Sequence, residues 1–234
     1  MWNIAELIVS SVIMAVPFAG VSAQADANTD AAPSAEVQAP AQTPMQERSV
    51  PEPLNQTDTI ARANEGLNAI QSAKGRFTQI DYQGRFSQGD FYLKRPGRLR
   101  FEYDDPVPLM IVSDGTTLAI EDRDLETVDR VPLVSTPLNL LIRQEADLAA
   151  HANILSVKRK AGLIAIRLSD KSGEAEGELE LFFDPETYVL KQWESIDPNG
   201  AVTTVQLVDT ELDVDLSPRL FRLEDPEDED ERRR

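Results

Sequence analysis

The stretch DFYLKRPGRLRFEY, from Asp90 to Tyr103, decides the fold because it contains two runs of alternating side chains separated by a Pro-Gly turn. Alternate residues of a β-strand point to the same face of a sheet. One face of this stretch therefore collects the large apolar residues Phe91, Leu93, Leu99, Phe101 and Tyr103. The pattern predicts two neighbouring strands that share an apolar face, with Arg95 as the one charge on it.

Arg95 is the first candidate functional residue. A guanidinium group keeps its proton, so a position among aromatic side chains requires either a partner or a route to water. The residues alone allow two interpretations. Arg95 lies at the rim or gate of a cavity, or it is a strand-end side chain that extends to solvent beside Pro96.

The strand pattern continues on both sides of this stretch. We count roughly eleven strand-like runs with a period of two residues. They lie near 76–82, 85–95, 98–104, 108–113, 116–121, 125–130, 153–160, 162–169, 176–184, 187–195 and 201–210. Turn sequences such as Asp184-Pro185-Glu186 and Asp197-Pro198-Asn199-Gly200 separate most of them. Strands joined this tightly are antiparallel, so the fold class is mainly β with a few helices (α+β), as a barrel or a strongly curved sheet.

Three helical segments interrupt this pattern. The first begins with Thr57 or Asp58 as its N-cap and ends near Gly75, with an apolar stripe on one side formed by Ile60, Ala63, Leu67 and Ile70. The second covers 136–142, where Thr136 caps the helix and Pro137 takes its first position. A weaker turn follows over 145–150. These segments are apolar enough to lie across one face of the sheet.

Composition divides the chain of 234 residues into four parts. Residues 1–23 are predicted to be a signal peptide, since a short apolar run precedes the small-x-small pattern Val21-Ser22-Ala23. Residues 24–56 are predicted to be a disordered linker rich in Ala, Pro and Gln, and 224–234 a disordered acidic tail. Residues 57–223 form the folded domain. An exported chain of this kind is expected in the bacterial periplasm.

Composition also excludes several function classes. The net charge of -18 argues against nucleic-acid binding, which depends on clustered Lys and Arg. The chain has no cysteine and a single histidine, His151, which we expect at the surface or rim. No nucleophile elbow, phosphate-binding loop, dinucleotide fingerprint or zinc motif occurs. We therefore expect no catalysis, no cofactor and no metal.

The remaining candidate site is the apolar face of the sheet. It is predicted to include Phe77, Phe86, Phe91, Leu93, Leu99, Phe101, Tyr103, Leu109 and Ile111. The competing interpretation is that these residues are simply the core of a sandwich or closed barrel. Arg95 favours a cavity, since a dry core would exclude it.

The same residues resemble a known family. The matching blocks are 75–79 (GRFTQ), 89–103 (GDFYLKRPGRLRFEY), 111–115 (IVSDG) and 136–141 (TPLNLL). In order and spacing they resemble the LolA family of periplasmic outer-membrane lipoprotein carriers, over about Thr57 to Leu223. The resemblance implies an unclosed antiparallel half-barrel with helices as a lid over an apolar cavity.

The resemblance also implies a function. The cavity would bind the acyl chains of lipoproteins released by an inner-membrane ABC transporter and carry them to an acceptor at the outer membrane. Arg95, in the family's Arg-Pro motif, would tether the lid in the empty state, and the second helix would add Leu140 and Leu141 to the cavity. We expect the partners of Arg95 to be backbone carbonyls at the ends of the lid helices, near Ile70 and Ile142.

Three other functions stay open at this point. The chain could carry or sense free lipids on the same fold, or it could be an outer-membrane lipoprotein acceptor similar to the LolB family. The absence of cysteine disfavours an acceptor anchored by a lipid. An enzyme is the weakest alternative, since the scattered carboxylates have no base or nucleophile beside them. We expect a monomer.

Overall fold

The structure is a computed structural model and describes residues 54–223. The predicted signal peptide (1–23) and acidic tail (224–234) lie outside the described residues, as does the predicted linker except for its last three positions. Within the described part, no helix is both long and apolar enough to cross a membrane.

One antiparallel sheet of eleven strands makes up most of the fold. The strands are β1 (Ser72–Ile80), β2 (Phe86–Lys94), β3 (Arg98–Tyr103), β4 (Leu109–Asp114), β5 (Thr117–Asp122), β6 (Thr127–Pro132), β7 (Ala152–Lys160), β8 (Leu163–Asp170), β9 (Glu178–Phe183), β10 (Leu190–Ile196) and β11 (Val202–Leu212). Their spatial order is β6-β5-β4-β3-β2-β1-β11-β10-β9-β8-β7. Because β6 and β7 are the two edges and do not pair, the sheet is unclosed. The predicted fold class is confirmed.

Two kinds of pairing build this sheet. Sequential strands pair through hairpins within β1–β6 and within β7–β11, as the turn sequences predict. The pairing of β1 with β11 joins the two halves, with Phe77 opposite Leu207 and Gln79 opposite Val205. The chain between the edge strands β6 and β7 therefore has to cross from one side of the sheet to the other, and it carries the short helices.

The β2–β3 hairpin has the register that the alternation predicts. Phe91 pairs with Phe101 and Leu93 pairs with Leu99, so the apolar side chains lie on one face. Gly97 in the turn has a φ of 69°, and a Cβ there would lie 2.7 Å from the Cα of Gly115. Only glycine fits both the backbone conformation and the close approach. We call the face that packs against the helices the inner face and the opposite one the outer face.

The first helix, α1 (Gln56–Asn68), differs from its prediction at both ends. Its N-cap is Asn55, whose Oδ1 accepts hydrogen bonds from the backbone N–H groups of Thr57 (3.0 Å) and Asp58 (3.3 Å). The helix ends seven residues before Gly75, which lies inside β1. The predicted stripe is correct within the helix, where Ile60, Ala63 and Leu67 are buried.

The other two helices are single turns. Helix α2 is Asn139–Ile142 and has Leu138 at its N-cap, so the predicted roles of Thr136 and Pro137 are wrong. Thr136 instead ends a 3-10 turn at Leu133–Ser135, and its hydroxyl donates to the carbonyl of Leu133 (2.8 Å). Helix α3 is Leu148–His151, slightly later than the predicted turn, because Asp147 caps it through the backbone N–H of Ala150 (3.0 Å).

Candidate functional site: an apolar cavity fastened by Arg95

A cavity lies between the inner face and the helices. It contains about 660 Å³ of space free of protein atoms, part of it open to solvent. Its lining is Leu67, Ile70, Ala73, Phe91, Leu93, Arg95, Leu99, Phe101, Leu138, Leu141, Ile142, Val189, Leu190, Trp193, Leu207 and Thr210. Arg95 is the only charged residue among them, so we call this space the main cavity and treat it as a site for an apolar ligand.

Arg95 lies just after β2 and fastens both lid helices to the sheet. Its Nε donates to the carbonyl of Ile70 (2.8 Å), and its Nη2 donates to the carbonyls of Leu67 (2.9 Å) and Leu141 (2.7 Å). Its Nη1 donates to the carbonyl of Arg143. Two of these acceptors are at the end of α1 and two are at the end of α2. They lie where the sequence predicts them, beside Ile70 and Ile142.

Carbonyl groups are suitable partners for this guanidinium. The last carbonyls of a helix have no intrahelical donor and carry partial negative charge, so a cation close to them is stabilised. Arg95 is partly buried, and this burial lowers the pKa of its guanidinium, although an arginine still keeps its proton near neutral pH. Among the described residues, no carboxylate lies within ion-pair distance of Arg95. The fastening therefore consists of hydrogen bonds to neutral acceptors.

Further contacts connect the lid segments to one another and to the sheet. The Asn68 side chain donates from Nδ2 to the carbonyl of Ala146 (2.9 Å) and accepts at Oδ1 from the N–H of the same residue (2.7 Å). Asn64 Oδ1 accepts from the backbone N–H of Leu148 (3.0 Å). The backbone N–H of Gly97 donates to the carbonyl of Ile142 (2.7 Å). Helix α1 is thus tied to the chain that follows α2, and α2 is tied to the β2–β3 turn.

Comparison with known proteins gives the family. The family model described as outer membrane lipoprotein carrier protein LolA matches residues 68–224. The chain belongs to the LolA family. Among its curated relatives, an outer-membrane lipoprotein carrier protein of Legionella pneumophila is 30% identical over 168 residues, which is 68% of this chain and 82% of the relative. One of Methylococcus capsulatus is 31% identical over 180 residues, 73% of this chain and 86% of the relative.

A solved structure of a LolA superfamily protein from Nitrosomonas europaea is also similar. The match covers 73% of this chain and 99% of the Nitrosomonas europaea chain, with 12% sequence identity and a TM-score of 0.45. The family assignment depends on the LolA sequence model and the curated relatives.

The predicted site residues occupy four different environments. Those that line the main cavity are Phe91, Leu93, Arg95, Leu99, Phe101 and Leu141. Tyr103 and Ile111 line a second, smaller cavity, which Phe101 also borders. Phe77, Leu109 and Leu140 are buried in the core and line neither of these two cavities. Phe86 does not belong to the inner face, since it lies on the opposite side of β2 from Phe91 and is 61% exposed.

Several lining residues are missing from the sequence prediction. Trp193 and Leu207 contribute from β10 and β11, and Leu67 and Ile70 contribute from α1 and the segment that follows it. The alternation within β10 and β11 would have identified which of their side chains share a face. The pairing of β1 with β11, which brings that face over the main cavity, has no such local signal.

Proposed function

We propose that this chain is a periplasmic lipoprotein carrier without catalytic activity. Its main cavity binds the acyl chains of lipoproteins that an inner-membrane ABC transporter complex releases, and it carries them to an acceptor or to the outer membrane itself. The observation that carries this proposal is an apolar cavity covered by α1 and α2, whose ends are both held by hydrogen bonds from Arg95. Membership of the LolA family supports it.

The energetics of acyl transfer fit a lid that opens easily. Burying a methylene group is worth about 0.8 kcal/mol, so an acyl chain of ordinary length gains on the order of 10 kcal/mol in any apolar site. A membrane offers the same gain. Net transfer therefore depends on small differences between the two sites, and a net hydrogen bond of about 0.5–1.5 kcal/mol is of the right size to set them.

Opening at α2 requires few contacts to break. The bonds from Arg95 to the carbonyls of Leu141 and Arg143 hold the end of this helix, together with the bond from Gly97 to Ile142. An acyl chain that enters beneath Leu141 and Ile142 gains apolar contact while it displaces α2. Arg95 stabilises the closed, empty state, and the bound acyl chain stabilises the occupied state.

The test is lipoprotein transfer by the Arg95→Leu variant, with Arg100→Leu as the control. Arg100 is also on this hairpin, but it lies on the outer face and bonds Glu102 and the carbonyl of Leu220. Wild-type protein added to spheroplasts should release lipoproteins and deliver them to outer membranes. Arg95→Leu should still accept cargo. It should deliver the cargo more slowly, because the closed, empty state that remains after delivery has lost its fastening. Wild-type rates of both steps in Arg95→Leu would refute the role of Arg95.

Mass spectrometry of the material that co-purifies from the periplasm tests the cargo. Acylated lipoproteins support the proposal. Free phospholipid without lipoprotein would instead indicate a carrier or sensor of free lipids.

A further inference from the structure

The inner face changes from apolar to polar along its length. Near Arg95 its strands contribute mostly apolar side chains to the main cavity, among them Ala73, Leu93, Leu190 and Leu207, with Thr210 as the one hydroxyl. Toward the opposite end they contribute side chains with hydrogen-bonding groups to the second cavity, which contains about 380 Å³ of space free of protein atoms, part of it open to solvent. These side chains are Gln79, Tyr103, Ser195 and Thr203. We call this second cavity the polar chamber.

A hydrogen bond orients the polar groups of the chamber. The hydroxyl of Tyr103 donates to Oε1 of Gln79 at 2.8 Å. Tyr103 is 8% exposed, and burial raises the pKa of its phenol, so the hydroxyl stays a neutral donor. Because Tyr103 occupies the oxygen of the Gln79 amide, the amide nitrogen keeps its two N–H donors for another acceptor. Ser195 adds a hydroxyl from β10, opposite Thr203 of β11.

The charge of the chamber restricts what it can bind. All nine residues that line it are uncharged: Gln79, Phe101, Tyr103, Ile111, Leu138, Trp193, Ser195, Thr203 and Val205. An anion such as a phosphate would lose its hydration there without gaining a cation. A neutral acceptor, such as an ester or amide carbonyl, can instead receive the N–H groups of Gln79 and the hydroxyl of Ser195.

The polar chamber adjoins the main cavity. Phe101, Leu138 and Trp193 line both of them and form the wall between the two spaces. The rings of Phe101 and Trp193 meet edge to face with their centroids 6.1 Å apart, and Leu138 is the N-cap of α2. When α2 is displaced, Leu138 leaves this wall. Along β1 the path from Ala73 in the main cavity to Gln79 in the chamber is six residues, or about 20 Å.

We propose that the polar chamber binds the ester or amide carbonyl at the head of an acyl chain whose tail occupies the main cavity. This inference rests on the proposed function. It adds an orientation to the cargo: the carbonyl end lies at Gln79 and Ser195, and the methyl end lies toward Arg95. Gln79 is the binding residue, and Tyr103 is a positioning residue that holds the Gln79 amide.

Two ligands that differ in one carbonyl test the proposal. Monolauroylglycerol has an ester where dodecylglycerol has an ether, and both can displace the fluorescent probe N-phenyl-1-naphthylamine from the full chain below their micellar concentrations. We expect wild-type protein to prefer the ester by about 2- to 10-fold, the effect of one net hydrogen bond. Gln79→Leu should remove this preference, and Tyr103→Phe should reduce it, with ether binding unchanged in both variants.

Tyr92→Phe is the matched control, because Tyr92 lies on the outer face of β2, away from the chamber. It should keep the wild-type preference, and thermal melts should show that all variants are folded. Equal ester preference in wild type and both chamber variants would overturn the chamber and leave acyl binding intact. If neither ligand displaces the probe from wild type, the proposed function fails and the chamber assignment fails with it.

The source of the carbonyl is tested with two larger ligands of equal chain length. One is a diacylglyceryl lipopeptide, and the other is a phosphatidylglycerol. Weaker binding of the lipopeptide to Gln79→Leu supports the chamber with a lipoprotein as its ligand, and weaker binding of the phosphatidylglycerol supports it with a free lipid. If Gln79→Leu weakens neither ligand, the chamber does not bind their carbonyls and the proposal is wrong.

Discussion

Replacing Arg95 with leucine should release α2 from the sheet without unfolding the sheet. The leucine keeps an apolar side chain against the main cavity, so the packing of the β2–β3 hairpin stays in place. All four hydrogen bonds to the lid carbonyls are lost. Of these four, the two bonds to Leu141 and Arg143 oppose the lifting of α2, and the other two hold the end of α1.

The size of the effect follows from those two bonds. A hydrogen bond contributes about 0.5–1.5 kcal/mol net, since the open state exchanges it for bonds to water. Hydrogen bonds of a charged group can reach about 1.5–3 kcal/mol, but Arg95 is only partly buried and water screens its charge, so we take the lower range. Two bonds give about 1–3 kcal/mol, and the opening equilibrium of α2 should rise by about 5- to 150-fold.

Hydrogen exchange measures this equilibrium directly. The amides of Ile142 and Arg143 donate within α2 to the carbonyls of Leu138 and Asn139, and the amide of Gly97 donates to Ile142. These three amides should exchange faster in Arg95→Leu by the same factor, while amides in the centre of β1 and β2 should keep their protection.

Arg100→Leu is the control for the loss of an arginine from this hairpin. It removes hydrogen bonds on the outer face and none to the lid, so α2 should exchange at the wild-type rate. Two results would refute the reasoning. Unchanged exchange in α2 of Arg95→Leu means that Arg95 does not fasten it, and equal acceleration throughout the sheet means that Arg95 stabilises the whole fold.

Two further predictions concern stability. Replacing glycine with alanine ordinarily stabilises a helix, but in Gly66→Ala the new Cβ would lie 2.1 Å from the carbonyl oxygen of Tyr188. We therefore expect urea unfolding to show a free energy of unfolding lower by about 1–3 kcal/mol. Glu65→Ala is the control, because Glu65 is exposed and its replacement should cause no comparable loss. Burial alone raises the pKa of Glu180, but the hydrogen bond from Lys160 and the ion pair with Lys158 outweigh it and hold the pKa below its ordinary value of 4.5. Its ionised form therefore stabilises the fold above about pH 4.5, and this contribution is lost as the pH falls through the lower folded-state pKa. Glu180→Gln should unfold more easily than wild type at pH 7, and the difference should shrink in urea titrations at acid pH; a constant difference at both pH values would contradict this.

The strands could be predicted because their signal is local. A period of two residues is visible in DFYLKRPGRLRFEY without knowledge of any partner strand, and the Pro-Gly turn fixes the register of β2 and β3. The same reasoning located Arg95, since a charge on an apolar face stands out in the sequence. The resemblance to the LolA family then implied that Arg95 tethers a lid, and we expected its partners among the backbone carbonyls at the ends of the lid helices.

The end of α1 could not be predicted in this way. Ile70 continues the apolar stripe beyond Asn68, so the periodicity extends the helix toward Gly75. In the structure the helix stops at Asn68, whose side chain bonds the backbone of Ala146, 78 positions along the chain. Residues 72–75 then join β1 because β2 and β11 offer partners on both sides. These contacts are tertiary, and a local pattern contains no record of them.

The choice of partners for Arg95 determines how easily the lid can open. A buried ion pair is costly to break, by about 3–5 kcal/mol, because each charge loses its partner in a poorly hydrated site. A carbonyl is neutral and accepts a hydrogen bond from water instead, so separating it from Arg95 costs about 0.5–1.5 kcal/mol. The planar guanidinium carries five N–H donors, enough to reach four carbonyls on two helices at once, which the three donors of a lysine on a single nitrogen could not match. Arginine with carbonyl partners therefore gives a lid that is fixed in place when the main cavity is empty and that an entering acyl chain can still displace.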